Sequence, residues 1–142
     1  MFKSSFIGLS LLSCSILFSA MTCNDYEYVP THGVSLENNS GESIYYACDF
    51  YREALPLTPH VIFEESPGYG NNLRSLPNGG KDSTFVITED GRDAIGLIIF
   101  KKSTLEKFTK KELVELNLYD KQYSLFYEDL KKMNFRITYT GE

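Results

Sequence analysis

At 142 residues the chain has the length of one domain, and 14 Lys plus Arg against 19 Asp plus Glu give a formal charge of −5. A hydrophobic content of 42% with 10 Phe and 10 Tyr excludes a disordered chain, and only 10 Gly without a heptad pattern exclude collagen-like and coiled-coil proteins. The mildly acidic balance argues against nucleic acid as a partner, because such proteins carry a basic footprint.

The first residues read as an address. Lys3 is the one charge before Asp25, and Phe6, Ile7, Leu9, Leu11, Leu12, Ile16, Leu17 and Phe18 form a short apolar run. That pattern is a secretory signal peptide, covering residues 1–22. A transmembrane anchor needs about 20 predominantly apolar residues, and Ser10, Ser13, Ser15 and Ser19 break this stretch. Ordinary cleavage wants small residues at −1 and −3. A cut after Ala20 leaves Phe18 at −3, and a cut after Ser19 leaves Leu17 there.

Ala20-Met21-Thr22-Cys23 instead resembles the bacterial lipobox, whose cysteine becomes the acylated first residue. Leu11-Leu12-Ser13-Cys14 is a closer literal match, but apolar chain follows it, whereas polar Asn24 and Asp25 follow Cys23. The resemblance implies lipidation at Cys23, a membrane partner through that lipid, and an outer-membrane lipoprotein facing the periplasm or the surface. Asp25 and Glu27 resemble the acidic export signal of Bacteroidetes surface lipoproteins. If Cys23 carries lipid, Cys48 is a lone thiol; if it does not, the two can pair in an oxidising compartment.

Residues 23–32 hold Pro30, lack periodicity and read as a tether, leaving residues 33–142 as one β-rich domain. Val34 and Leu36, a turn at Asn38-Asn39-Ser40-Gly41, then Ile44, Tyr46, Cys48 and Phe50 predict a hairpin with one apolar face. Cys48 should face the core, reduced and unreactive. Residues 52–82 are rich in Pro and Gly, with a short edge strand over Pro59–Phe63. Phe85-Val86-Ile87 and Ile95–Phe100 predict a second hairpin, and the continuous apolar run of the latter belongs in the middle of a sheet.

Thr109-Lys110-Lys111-Glu112 is a capping box opening a helix through Asn117. Tyr123, Phe126, Tyr127, Leu130 and Met133 predict a second helix, with Glu128 and Lys132 as an i,i+4 pair. Phe135–Tyr139 alternates as a final strand that should pair with Ile95–Phe100. The predicted fold is mainly β (α+β): an antiparallel immunoglobulin-like or transthyretin-like sandwich, two short C-terminal helices and a last strand.

The run from Tyr123 to Tyr139, preceded by Gly96–Phe100 and a capped helix, resembles a group of small Bacteroidetes lipoproteins of unknown function. Their C-termini read like YDLSLEDLQRLNWTITYP, and an N-terminal hairpin in them is similar to Val34 through Tyr45. Here Phe135 replaces their Trp, Phe126 a capping Ser or Thr, Thr140 a Pro, and Lys101 an Asp. The resemblance implies no active site.

No motif for chemistry stands out. His60 and Glu64 are four apart in a β-like run, and His32, His60 and Cys48 are few ligands for zinc. Gly68-Tyr69-Gly70 lacks the strand and helix of a dinucleotide loop. Glu64-Glu65 and Glu89-Asp90 are adjacent acids in loops, not carboxylates facing across a cleft. Asp82-Ser83-Thr84 resembles a bacterial O-glycosylation motif, which makes Ser83 a candidate acceptor.

Tyr45, Tyr51 and Tyr69 are candidates for a contact surface of the kind protein and glycan ligands use. The expectation is a lipid-anchored binding or scaffold module, not an enzyme, with no catalytic residue, cofactor or metal. The alternative is a secreted or lipidated hydrolase or protease-inhibitor-like protein using the 52–82 loop.

Overall fold

The computed structural model describes residues 29–51, 56–65, 73–89 and 94–142. Strand outweighs helix, in two sheets with a few short helices. One sheet has the order β4-β1-β7, from β1 (Thr31–Asn38), β4 (Lys81–Thr88) and β7 (Arg136–Tyr139). The other has the order β3-β2-β5-β6, from β2 (Ile44–Tyr51), β3 (Arg74–Leu76), β5 (Ala94–Lys101) and β6 (Lys121–Phe126). Among the described residues no helix is long and apolar enough to cross a membrane.

β1 starts at Thr31, inside the stretch expected as tether. Neither expected hairpin is one. β1 and β2 lie in different sheets, as do β4 and β5, so each connection carries the chain from one sheet to the other. Period-two alternation fixes which face of a strand is buried, but it is satisfied equally by a neighbour beside the strand or one facing it. What decides the first connection is Asn38, fully buried at the end of β1. Its side-chain amide donates to the carbonyls of Glu42 (2.8 Å) and Leu76 (3.0 Å), while its carbonyl accepts from the Ser40 amide and hydroxyl. Gly41 and Gly79, at φ +89° and +76°, supply the left-handed backbone of the two adjoining turns.

β5 is central, as its apolar run requires, and every residue from Ala94 to Phe100 is buried. Ile95, Leu97 and Ile99 join the core between the sheets with Val34, Leu36, Tyr46 and Ile137. Ile98 and Phe100 point the other way, into a second core with Leu57, Ile62 and Leu113. That core lies under the π-helical turn Val61–Glu65 and the helices α1 (Lys102–Lys107) and α2 (Lys110–Glu115), so the molecule has three layers.

The final strand cannot pair with β5, whose two sides are already taken by β2 and β6. It pairs with β1 in parallel instead. The helix expected over Tyr123–Met133 is divided into strand β6 and a short helix α3 (Tyr127–Lys132). Tyr123, Leu125 and Tyr127 are also two apart, and pairing with β5 selects that period. Lacking a capping hydroxyl, Phe126 starts α3 with only the other half of a box, its amide donating to Asp129 (3.3 Å). Lys132 pairs with Asp129 at 3.7 Å rather than with Glu128.

The expected edge strand over Pro59–Phe63 is helical. Thr58 receives the Ile62 amide on its carbonyl and the Val61 amide on its hydroxyl, and Pro59 suits a first helical turn. The Thr109 capping box forms as read, although α2 ends at Glu115, with Leu116 as its C-cap, rather than at Asn117.

Unanticipated α1 has no buried residue of its own and is held from outside. Glu42 accepts from the Ser103 amide and hydroxyl (both 2.9 Å), and Asp120 accepts from the Lys101 amide (2.6 Å) and Thr104 hydroxyl (3.0 Å). The Ser103 bonds hold the Glu42 carboxyl below its ordinary value of 4.5.

Two expectations follow. Asn38→Ala strands two carbonyls in the inter-sheet corner and should lower unfolding free energy by about 2–3 kcal/mol in urea titration; a loss under about 0.5 kcal/mol would remove Asn38 from that role. The stability Glu42 contributes is complete above its unfolded value and is lost as pH falls through the depressed folded one. Thermal melts of Glu42→Gln should therefore show a shallower acid limb than the parent below the ordinary value of 4.5, and a limb parallel to the parent's would contradict this.

Candidate functional site

Among the described residues, a pair of polar convergences draws side chains from segments distant in sequence. The first lies on the β3/β4 side of the sandwich. The Tyr46 hydroxyl on β2 donates to the Asp82 carboxylate on β4, and Arg74 Nη1 on β3 lies 3.6 Å from the same oxygen. Burial and then the Asp82 bond push the Tyr46 phenol well above its ordinary range. One carboxylate thus ties two strands of one sheet to the edge of the other.

Cys48 is the next inward-facing residue of β2, past the point where β3 stops pairing at Tyr46. It is half-buried against the inter-sheet core rather than sealed in it. Burial pushes its thiol up to about 11, with the Arg74 charge pulling the other way. A thiol so protonated is a poor nucleophile. This trio is a latch beside an unreactive sulfur.

The second convergence is at the end where β1 begins. His32 on β1 stacks flat on Phe135, with ring centroids 4.5 Å apart and planes 5° from parallel. The Tyr127 hydroxyl sits 3.3 Å from His32 Nε2, and the Glu89 carboxylate just past β4 is 4.0 Å from the same nitrogen. Burial, then the charge and hydrogen bond of Glu89, raise the Tyr127 phenol above its ordinary value. Lys131 lies over the Tyr127 ring at 5.7 Å.

Phe135 holds φ +55° and Asn134 φ +52°, a left-handed corner that L-residues adopt at a cost. The corner follows from the end of α3, where the Phe135 amide donates back to the Leu130 carbonyl (2.7 Å). It delivers the Phe135 ring to the imidazole. His32 and Glu89 side chains remain 35% and 46% exposed, so imidazole and carboxylate face solvent together, with Phe135 half-buried against the imidazole and Tyr127 buried behind it. This arrangement can donate, accept and stack, which is the chemistry of a contact surface.

The residues singled out in the sequence fare differently. Tyr45 is half-buried on β2, between Ser75 and Phe100 in register, on the face that carries the helical layer. Tyr51 ends β2, but its side chain, like Cys23 and Tyr69, lies outside the described residues. Ser83 is exposed, yet it sits within β4 rather than before it. It forms a bulge with Thr84, because the register shifts between Val34 and Leu36. His60 and Glu64, read as lying on an extended run, pair at 2.8 Å across a helical turn. Among the described residues no three His, Cys, Asp or Glu side chains come together as metal ligands.

The sequence missed the second cluster because its members, at 32, 89, 127 and 135, belong to four separate segments. The one usable signal was a histidine close to a strand start with aromatics near the C-terminus.

At pH 8, modification of Cys48 by a maleimide, read site by site by mass spectrometry, should be about a hundredfold slower in the folded protein than in the unfolded one. Equal rates would contradict both its burial and its raised pKa.

Comparison with known proteins finds no matching family model, no matching characterised protein and no matching solved structure.

Proposed function

We propose that this chain is a lipid-anchored protein of the bacterial cell envelope that works by binding, with the His32, Glu89, Tyr127 and Phe135 cluster as its contact surface. The observation that carries the reading is positional. β1 opens at Thr31, eight residues after Cys23, and His32 is the second residue of that strand. The cluster therefore stands at the end of the sandwich where the tether arrives. An exposed imidazole and carboxylate beside the half-buried Phe135 ring offer both polar and aromatic contacts of the kind protein and glycan ligands use, with buried Tyr127 positioning His32 from behind. Lipidation at Cys23 and the outer membrane as location rest on the lipobox-like segment, and membership of the small Bacteroidetes lipoproteins rests on the C-terminal resemblance.

The finer fold reading we propose is the transthyretin-like one. In an immunoglobulin sandwich the first and second strands share a sheet. Here β1 pairs with β4 and β7, and β2 with β3 and β5, which favours the other alternative.

Cell fractionation tests the anchor. Cys23→Ala should move the protein out of the membrane fraction, and a variant that stays there contradicts lipidation at that residue. A glycan array tests the surface. Binding is expected to selected glycans, and His32→Ala with Glu89→Ala should remove it; an array without hits, or hits retained by the double variant, would reject the cluster as a glycan surface.

A further inference from the structure

His32 Nε2 faces a phenol and a carboxylate at once. The Tyr127 hydroxyl is 3.3 Å from it, Glu89 Oε2 is 4.0 Å from it, and the hydroxyl also hydrogen-bonds the Glu89 side chain. A carboxylate only accepts, a phenol has one hydrogen to donate and can accept as well, and a neutral imidazole carries its hydrogen on one nitrogen. One assignment makes both contacts of the hydroxyl into hydrogen bonds. Nε2–H donates to the Tyr127 oxygen, and the Tyr127 O–H donates to Glu89. The reverse, with Tyr127 donating to Nε2, sets the phenol oxygen against the carboxylate with no hydrogen between them and loses the stronger, charge-assisted bond.

The other ring nitrogen is left bare. Among the described residues Nδ1 has no hydrogen-bond partner, and the buried polar side-chain atom that lacks one is on Tyr139, so solvent reaches Nδ1. Beside it stands the exposed Glu89 carboxylate, with lone pairs to spare. Two further charged groups, Glu128 and Lys131 of α3, lie against Tyr127, and the stacked Phe135 ring brings no charge.

We propose that His32 is the hydrogen-bond acceptor of the contact surface, its Nδ1 lone pair held ready by Tyr127 and Glu89 to take a hydroxyl of an uncharged glycan. The inference rests on the binding role proposed above and names the ligand chemistry for it. Two acceptors side by side, Nδ1 and the Glu89 carboxylate, match neighbouring sugar hydroxyls, each of which can donate. The same carboxylate repels an anionic ligand. Tyr127 is a positioning residue: with Glu89 it fixes the tautomer, and so decides which nitrogen meets the ligand. Protonation puts a hydrogen on Nδ1 and removes the acceptor. Binding is therefore present above the imidazole titration and is lost as pH falls through it.

Nitrogen NMR of the full chain, isotope-labelled and held in detergent, reads the tautomer without any ligand, and His60→Gln assigns the two imidazoles. Neutral His32 should show Nε2 protonated and Nδ1 bare as a single form. Glu89→Gln, whose amide can donate to Nε2, should turn that form into a mixture. Glu89 is exposed, so this variant reports even where Tyr127→Phe, which alters a buried ring, fails to fold. A neutral form protonated on Nδ1, or a tautomer indifferent to Glu89→Gln, overturns the proposal. The glycan array is the second arm. Its hits should be uncharged glycans that bind about tenfold more weakly once His32 is protonated. Hits confined to anionic glycans, or binding that holds or strengthens on protonation, overturn the proposal as well. The expected tautomer with an array empty of hits rejects the binding role beneath it, whereas hits with the wrong tautomer reject the acceptor role alone.

Discussion

The buried side chain of Asn38 fastens the two sheets. An amide taken out of water must find partners for its oxygen and both its hydrogens, or it costs more than it contributes. Here the partners come from the turn that follows β1 and from the last residue of β3. The backbone of the same residue donates to Gly80 and accepts from Gly79, in the turn leading to β4. One residue therefore holds the corner where the chain leaves the first sheet and the corner where it returns.

Given that corner, β5 does the rest. A strand apolar on both faces must be covered on both, so the molecule needs a layer beyond the second sheet. The π-helical turn, α1 and α2 form it. They contribute Val61, Ile62, Phe63, Leu105, Phe108 and Leu113 to the second core. These short helices cannot stand alone. Glu42 and Asp120, from distant parts of the chain, supply the hydrogen bonds that start α1, and Thr109 and Glu112 start α2 locally. The helical layer is thus held partly by packing and partly by carboxylates at its ends.

The two polar convergences follow from the same arrangement. Stacked sheets bring β2, β3 and β4 together on one side, which joins Tyr46, Arg74 and Asp82. At the start of β1, the chain ends of β4 and α3 meet, which joins His32, Glu89, Tyr127 and Phe135. The first is closed and ties the sheets. The second is open, with an imidazole held between a stacked ring and a carboxylate, and its left-handed Phe135 is the kind of backbone outlier that concentrates at working sites.

The sequence by itself determined the β-rich class, the central place of Ile95–Phe100, the capping box at Thr109 and the apolar faces of Val34, Leu36, Ile44 and Tyr46. These are local properties: periodicity, runs of apolar residues and side-chain chemistry a few positions apart. Tertiary structure alone decided that adjacent strands cross between sheets rather than form hairpins, that Tyr123–Phe126 is strand rather than helix, and that the last strand lies parallel to β1. Each depends on which partner is still free. β5 has two sides, and once β2 and β6 fill them the last strand must go elsewhere. The cluster around His32 was illegible for the same reason, since no local pattern links four residues that meet only after every pairing has been made.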